Sequence, residues 1–364
     1  MEIREGAAKI TVGGGVFYNP KMSKLRDISV LFLRAVGAKG LTLLDCTSAT
    51  GIRGIRYALE AGAKEPVLLD INRDACRAAS ANLKKNRVKG QVLNINLQEF
   101  ANTDGRKFDI IDLDPFGSPV PYVYDLMKVG SGDTVFMVTA TDTAVLCGAH
   151  PAACVKLYGA KPLHSELCQE AGVRILLGFM LRTAMQFNSG IEPLLSMADM
   201  HYMRVFLRLK KGAEAAAASS RELGFGAFCT TCGRFDYAKG IAPRVDNKCG
   251  FCGATMELFG PLWLGKLQDM ELLQRMQNGA EKYADGAKEL IDKIHGELDI
   301  PFFYSIPKVT KRLGIGSVSP ALVMKELKAK RHHVSVTHFR VDSLKTDASL
   351  DDVIKAVKKV SKSP

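Results

Sequence analysis

From residue 41 to residue 139 the chain alternates between short apolar runs and amphipathic helical runs. The predicted strands are Leu41–Cys46, Pro66–Ile71, Gln91–Asn96, Phe108–Asp114 and Thr134–Thr139, with predicted helices Gly51–Glu60 and Arg73–Asn86 between the first of them. This order leaves few folds open, because strands separated by helices pair in parallel and bury both faces. The expectation is an α/β doubly wound sheet. Residues 1–20 read as an ordered arm, and residues 21–36 as a helix with Ile28, Leu31, Phe32 and Ala35 at helical spacing.

Ser165–Asn188 reads as a long helical region, His201–Leu209 as a strand, Gly212–Ser220 as an alanine-rich polar hinge, and Met256–Leu264 as one more strand. Two late strands after five parallel ones suggest an antiparallel hairpin at the sheet edge. The cysteine-bearing segment, about 225–254, would then be an insertion between strands six and seven. The composition changes at Lys266. Helical patterns follow at Leu267–Gly279, Ala280–Gly296, Ile306–Leu313, Pro320–Lys330 and Leu350–Val360, with a short strand at Val334–Phe339. The predicted division is 1–265 and 266–364, the second part a small basic domain.

The 364 residues carry a formal charge of +12 and a pI near 9.2. That balance favours a polyanionic partner, RNA or DNA before an acidic membrane. No apolar run is long enough to span a bilayer, and Met1–Gly6 has no apolar signal core. Nine cysteines, five of them scattered singly, argue for a reducing, cytosolic setting. A cytoplasmic monomer is the expectation.

Phe108-Asp109-Ile110-Ile111-Asp112-Leu113 should run as a buried strand into the turn Asp114-Pro115-Phe116-Gly117. A carboxylate, a rigid carbonyl and an aromatic ring side by side suit a planar base held by its exocyclic amine. The plain structural reading is an Asp-Pro turn with a core Phe. The first βα turn, Asp45-Cys46-Thr47-Ser48-Ala49-Thr50-Gly51-Ile52-Arg53-Gly54, lacks the G-x-G-x-x-G spacing. Asp45 would repel a pyrophosphate but accept a hydrogen bond from an ammonium, as in S-adenosylmethionine. Asp70 lies 25 residues later, where an acidic side chain meets a ribose diol in such sheets; the alternative is a helix cap. Gln98 and Glu99 could read an adenine amine or simply start a helix.

Cys229-x-x-Cys232 and Cys249-x-x-Cys252, 16 residues apart, fit a closed four-thiolate zinc site with a structural role. Cys147, His150, Cys154, His164 and Cys168 are taken as packing rather than a second metal site. His332-His333 is taken as a solvated or RNA-facing pair. Lys308, Lys311, Arg312, Lys328 and Arg331 are the candidate phosphate contacts.

Class I methyltransferases that act on an exocyclic amine carry an Asp/Asn-Pro-Pro-aromatic turn after strand four, of which Asp114-Pro115-Phe116-Gly117 is a variant. The chain as a whole resembles the tRNA (guanine-N2) dimethyltransferase family, which dimethylates the guanine at tRNA position 26. The residues that carry the resemblance include Phe17-Tyr18-Asn19-Pro20, Arg26-Asp27, Ser48–Arg56, Asp112–Pro119, Thr139–Asp142, Cys147–Pro151, Gly260–Trp263, Thr337-His338-Phe339 and Leu344–Asp347. The resemblance implies a Rossmann-like seven-stranded sheet and S-adenosylmethionine as cofactor. It assigns Arg26, Arg53 and Asp70 to the cofactor, and Asp114 and Phe116, beside Pro115, to the guanine. The family's Asn-Arg-Asp appears here as Leu25-Arg26-Asp27, and its acidic pair after strand three as Gln98-Glu99. Two other classes stay open on the sequence: a non-catalytic zinc-bearing RNA-binding protein, and a methyltransferase acting on DNA or protein amines.

Overall fold

The computed structural model describes every residue except 14, 200, 281, 282, 284, 363 and 364. The chain opens with a hairpin, β1 (Glu2–Glu5) and β2 (Ala8–Thr11), and the helix α1 (Ser23–Val36). Then come β3 (Thr42–Asp45), α2 (Ile52–Ala61), β4 (Lys64–Leu69), α3 (Arg73–Lys85), β5 (Gln91–Leu93), α4 (Leu97–Thr103), β6 (Phe108–Leu113), α5 (Val120–Val129) and β7 (Gly130–Ala140). Short helices α6 (Thr143–Leu146) and α7 (Pro151–Tyr158) lead to α8 (Cys168–Met185) and the strands β8 (Ser189–Asp199) and β9 (Tyr202–Lys211). These strands form one seven-stranded sheet, ordered β5-β4-β3-β6-β7-β9-β8, in which β9 alone runs against its neighbours.

The strand β6 shows why the sheet is buried on both faces. Ile110 belongs to the apolar cluster containing Leu31, Phe32 and Tyr57, while Ile111 and Leu113 belong to the cluster containing Leu126 and Leu177. Helices therefore cover both sides, as the sequence pattern requires.

The edge hairpin differs from the expectation. The strand paired with β9 is β8, not Met256–Leu264, so the cysteine segment follows the complete sheet rather than interrupting it. The strand β8 was hidden by Pro193, which argues against a strand in a sheet interior. Here it lies on the edge strand, beside an irregularity between Pro193 and Leu195, where a missing donor costs little. The expected hinge is also ordered. It forms α9 (Ala213–Ser220), tied to β8 by the Ser219 hydroxyl, which accepts from Ile191 N at 3.1 Å and donates to Ile191 O at 3.2 Å.

Beyond it, β10 (Leu223–Phe228), β11 (Phe235–Lys239) and β12 (Glu257–Trp263) make a separate antiparallel sheet bearing the four cysteines. The helices α10 (Met270–Gly279) and α11 (Asp285–His295) were expected to open the basic domain. Instead Leu272, Leu273, Met276, Ile291 and Ile294 share the apolar cluster of α1 and the large sheet. An amphipathic helix shows that it has an apolar face, not what covers that face. The basic segment has its own core from Tyr304 onward, built on β13 (Tyr304–Ser305), α12 (Ile306–Leu313), α13 (Pro320–Ala329), β14 (Val334–Val336), β15 (Ser343–Thr346) and α14 (Leu350–Ser361).

A buried ionic chain fastens the two parts. Glu170 and Arg174 of α8 pair at 2.8 Å, and Lys345 of β15 reaches Glu170 at 3.4 Å and Glu297 at 2.9 Å. Glu297 also meets His338 at 2.6 Å. Burial would raise the Glu297 carboxyl, but the His338 and Lys345 charges outweigh it and hold the group far below its ordinary range. Lys345→Met should cost about 3–5 kcal/mol, the range for breaking a buried ion pair. Urea unfolding measures this, and a loss below about 1 kcal/mol, the surface-pair range, would show that the chain is slack.

Candidate active site and zinc centre

The large sheet places Asp45, Asp70 and Asp114 at or just beyond the carboxyl ends of three adjacent strands, β3, β4 and β6. This rim is where ligands bind in open α/β sheets. Asp112, one turn of pleat before Asp114, is fully buried. It accepts both 2.9 and 3.0 Å bonds from Arg204 and a 2.6 Å bond from the Tyr57 hydroxyl, with Arg53 at 3.9 Å. Arg204 also donates to Thr139 at 2.5 Å. Arg53, expected to contact the cofactor, is ion-paired with Asp114. Burial works to raise the Asp114 carboxyl, but the charges of Arg53 and Arg204 outweigh it and hold it below its ordinary value. Asp114 is therefore an ionised acceptor.

Asp45 is the third carboxylate of this group and the one without an arginine of its own. Its Oδ1 accepts from Thr47 N at 3.3 Å, and its buried Oδ2 has no partner among the described residues. Burial, and then the Asp112 charge, push its pKa up to about 7. The buried Ser48 Oγ, Thr50 Oγ1 and Arg53 Nε in the same turn also have no hydrogen-bond partner among the described residues. Such a concentration of unpaired buried polar atoms marks a ligand cradle. An ammonium beside Asp45 would supply the missing positive charge.

Asp70 is held in place by Ala49 N at 2.9 Å and Asn72 N at 2.8 Å. Ile71 beside it is 75% exposed, an apolar surface that sequence reasoning gave no role. Gln98 donates to Pro121 O at 3.3 Å, and Glu99 lies exposed in the first turn of α4. Arg26 donates to both Glu5 oxygens at 2.5 and 2.6 Å and to Asn19 O at 3.1 Å. It fastens the N-terminal hairpin and the arm that follows.

The turn after β6 is strapped to the one after β7. Gly117 N donates to Thr141 Oγ1 at 2.7 Å, and Thr141 N to Gly117 O at 2.9 Å. Gly117 has φ of 75°, a conformation that a side chain would strain. The strap leaves Pro115 buried and the Phe116 ring 77% exposed. Phe17 of the arm meets Phe116 edge to face, centroids 4.7 Å apart, and is itself 52% exposed. Two exposed rings thus meet next to the turn that carries the ionised Asp114. Phe17 gave no functional signal in the sequence beyond its place in the Phe17–Pro20 match.

The four thiols of Cys229, Cys232, Cys249 and Cys252 lie within 4.8 Å of one another. Cys229–Cys252 and Cys232–Cys249 are each 3.5 Å apart. A zinc ion with four thiolates at about 2.3 Å needs sulfur separations of about 3.8 Å, so the cluster fits a tetrahedral ion. Among the candidate phosphate contacts, Lys311, Lys328 and Arg331 are exposed and Lys308 is half-buried, while Arg312 pairs with Glu166 at 2.7 Å.

The sequence profile of the N2,N2-dimethylguanosine tRNA methyltransferases matches residues 1–358. The chain belongs to that family. Its relatives include the tRNA (guanine(26)-N(2))-dimethyltransferases of Thermococcus kodakarensis, 38% identical over 99% of both chains, and of Archaeoglobus fulgidus, 37% identical over 98% of this chain and 99% of that one. Trm1 from Pyrococcus horikoshii, solved with S-adenosyl-L-methionine, superposes with a TM-score of 0.91 at 34% identity, covering 98% of this chain and 99% of that one.

Cys249→Ser should lower the zinc content and loosen the β10–β12 sheet while sparing the rim. Elemental analysis of protein purified without chelator tests this, and finding no stoichiometric metal in the unaltered protein would remove the site.

Proposed function

We propose that this protein transfers methyl groups from S-adenosylmethionine to the exocyclic N2 of the guanine at position 26 of tRNA, forming the N2-methyl and then the N2,N2-dimethyl base. The observation that carries the reading is the ionised Asp114 at the foot of an exposed aromatic pair, next to a rim with one uncompensated carboxylate. S-adenosylmethionine supplies an electrophilic methyl group. Asp45 would take its ammonium, Asp70 its ribose hydroxyls, and Ile71 would cover its base.

A guanine amine is a poor nucleophile because its lone pair is delocalised into the ring. Hydrogen bonds from N2 to the Asp114 carboxylate and the Pro115 carbonyl draw that lone pair toward the nitrogen. Phe116 and Phe17 hold the ring, each stacking contact worth about 1–3 kcal/mol. The base must leave the RNA stack to reach them. Arg53 keeps Asp114 ionised, so it orients the amine and accepts its proton late, once methylation has made that proton acidic. Arg53 thus serves the cofactor rim indirectly, through Asp114.

The tRNA body falls to the part of the chain beyond residue 300, where Lys311, Lys328 and Arg331 are exposed and Lys308 is half-buried. Zinc acts structurally. Among the described residues no helix is long and apolar enough to cross a membrane. We take the protein to act in the cytoplasm, as a monomer, on tRNA rather than DNA.

Asp114→Ala should slow single-turnover methyl transfer by roughly two to four orders of magnitude, the range for a positioned acid–base group, with cofactor and tRNA affinities little changed. A near-normal rate in a folded variant would reduce Asp114 to a turn residue. Asp45 gives a second test. Only its ionised form attracts an ammonium, so below its pKa of about 7 cofactor binding must release a proton, and affinity falls as pH falls. Calorimetry should show S-adenosylmethionine binding weaken roughly tenfold from pH 7.5 to pH 6, a dependence lost in Asp45→Asn. A flat profile in the unaltered protein would place the ammonium elsewhere.

A further inference from the structure

Two cavities meet at a single residue, Cys147. The smaller, about 180 Å³, is lined by Cys147 with Thr143, Gln169, Tyr202 and Met203. The larger, about 410 Å³, is lined by Cys147 with His164, Thr230, Lys308, Arg312 and Arg340. The two cavities adjoin at that residue.

One end of the pair lies near the carboxyl end of β7. Thr143 opens α6 just beyond β7, and Met203 pairs with Ala140 at the end of β7. The other end is a cleft between α8, the thiolate-bearing sheet and the basic domain. Its cations divide into two kinds. Arg312 is spent on Glu166 at 2.7 Å and lies over Phe228, 5.9 Å from its ring centroid, so it is part of the wall. Lys308 and Arg340 form no ion pair among the described residues. The hydroxyl of Thr230 and the ring of His164 add hydrogen-bonding groups.

Two uncompensated cations in a concave, hydrogen-bonding cleft call for an anion. We propose that these adjoining cavities are a track for the tRNA backbone, with a phosphate seated between Lys308 and Arg340. The proposal rests on tRNA being the substrate. It adds Arg340 and His164 to the surface that meets RNA, and it gives the boundary between the two parts of the chain a role in aligning the substrate.

The thiols of Cys147 and Cys168 both line the larger cavity and act as built-in reporters. The full-length protein is alkylated with N-ethylmaleimide, and each cysteine is followed by mass spectrometry. Saturating tRNA should slow modification of Cys147 and Cys168 several-fold, and S-adenosylmethionine alone should not. The double variant Lys308→Ala/Arg340→Ala should bind tRNA about tenfold more weakly or worse, with its log–log salt slope reduced by about 0.7–0.9 per lost charge. Its S-adenosylmethionine affinity should be unchanged. If the unaltered protein methylates tRNA yet its thiols react at the same rate with and without tRNA, or if the variant keeps the full salt slope, the track is wrong and the methyltransferase reading stands. If the unaltered protein binds no tRNA, both fall together.

Discussion

Two guanidinium groups, Arg53 and Arg204, face three carboxylates, Asp45, Asp112 and Asp114, in the water-poor space where β3 and β6 end. Charge in such a place must be balanced locally, since burying an unpaired ion costs several kcal/mol. The two arginines balance Asp112 and Asp114, which fixes the end of β6 and keeps the acceptor beside Pro115 ionised. The third carboxylate is left over. It is pushed up to about 7 by burial and by the Asp112 charge. On the proposed reading, that one imbalance separates the carboxylate that meets the substrate amine from the one that meets the cofactor ammonium.

The rest of the molecule frames that cluster. The pair Arg26–Glu5 pins the N-terminal hairpin, and through it the arm that brings Phe17 to Phe116. The thiolate cluster sets the small sheet that supplies Phe228 and Thr230 to the larger cavity, and Phe235 of that sheet stacks on Phe302 and Tyr304 at 5.6 and 4.9 Å. The Glu170–Lys345–Glu297 chain then fixes the basic segment against α8. Recognition of a large, stiff RNA needs the catalytic mouth and the cationic face held in register, and buried ion pairs are suited to that because they tolerate no slippage.

What was legible in the sequence was whatever depends on local pattern. Buried parallel strands read as apolar runs, so Asp45, Asp70 and Asp114 were placed at the strand ends, and the two CxxC pairs specified their own ligand geometry. What was not legible depends on distant partners. Pro193 disguised β8 because nothing local says that the strand lies on an edge. The helices α10 and α11 show apolar faces without showing that α1 covers them. The ion pair of Arg53 with Asp114 joins two motifs far apart in the sequence. Phe17 sits in a glycine-rich arm whose course is set by Arg26, and its ring contact with Phe116 spans almost a hundred residues of sequence.

The central claim is that the carboxylate after β6 receives the exocyclic amine of guanine and no other nitrogen. It is tested most directly by two tRNA transcripts that differ only at position 26, one with guanosine and one with inosine, which lacks the 2-amino group. After incubation with S-adenosylmethionine and digestion to nucleosides, mass analysis should find N2,N2-dimethylguanosine in the first and no methylated nucleoside in the second. Methyl transfer to the inosine transcript, or a methyl group on another atom of the guanosine, would contradict the account.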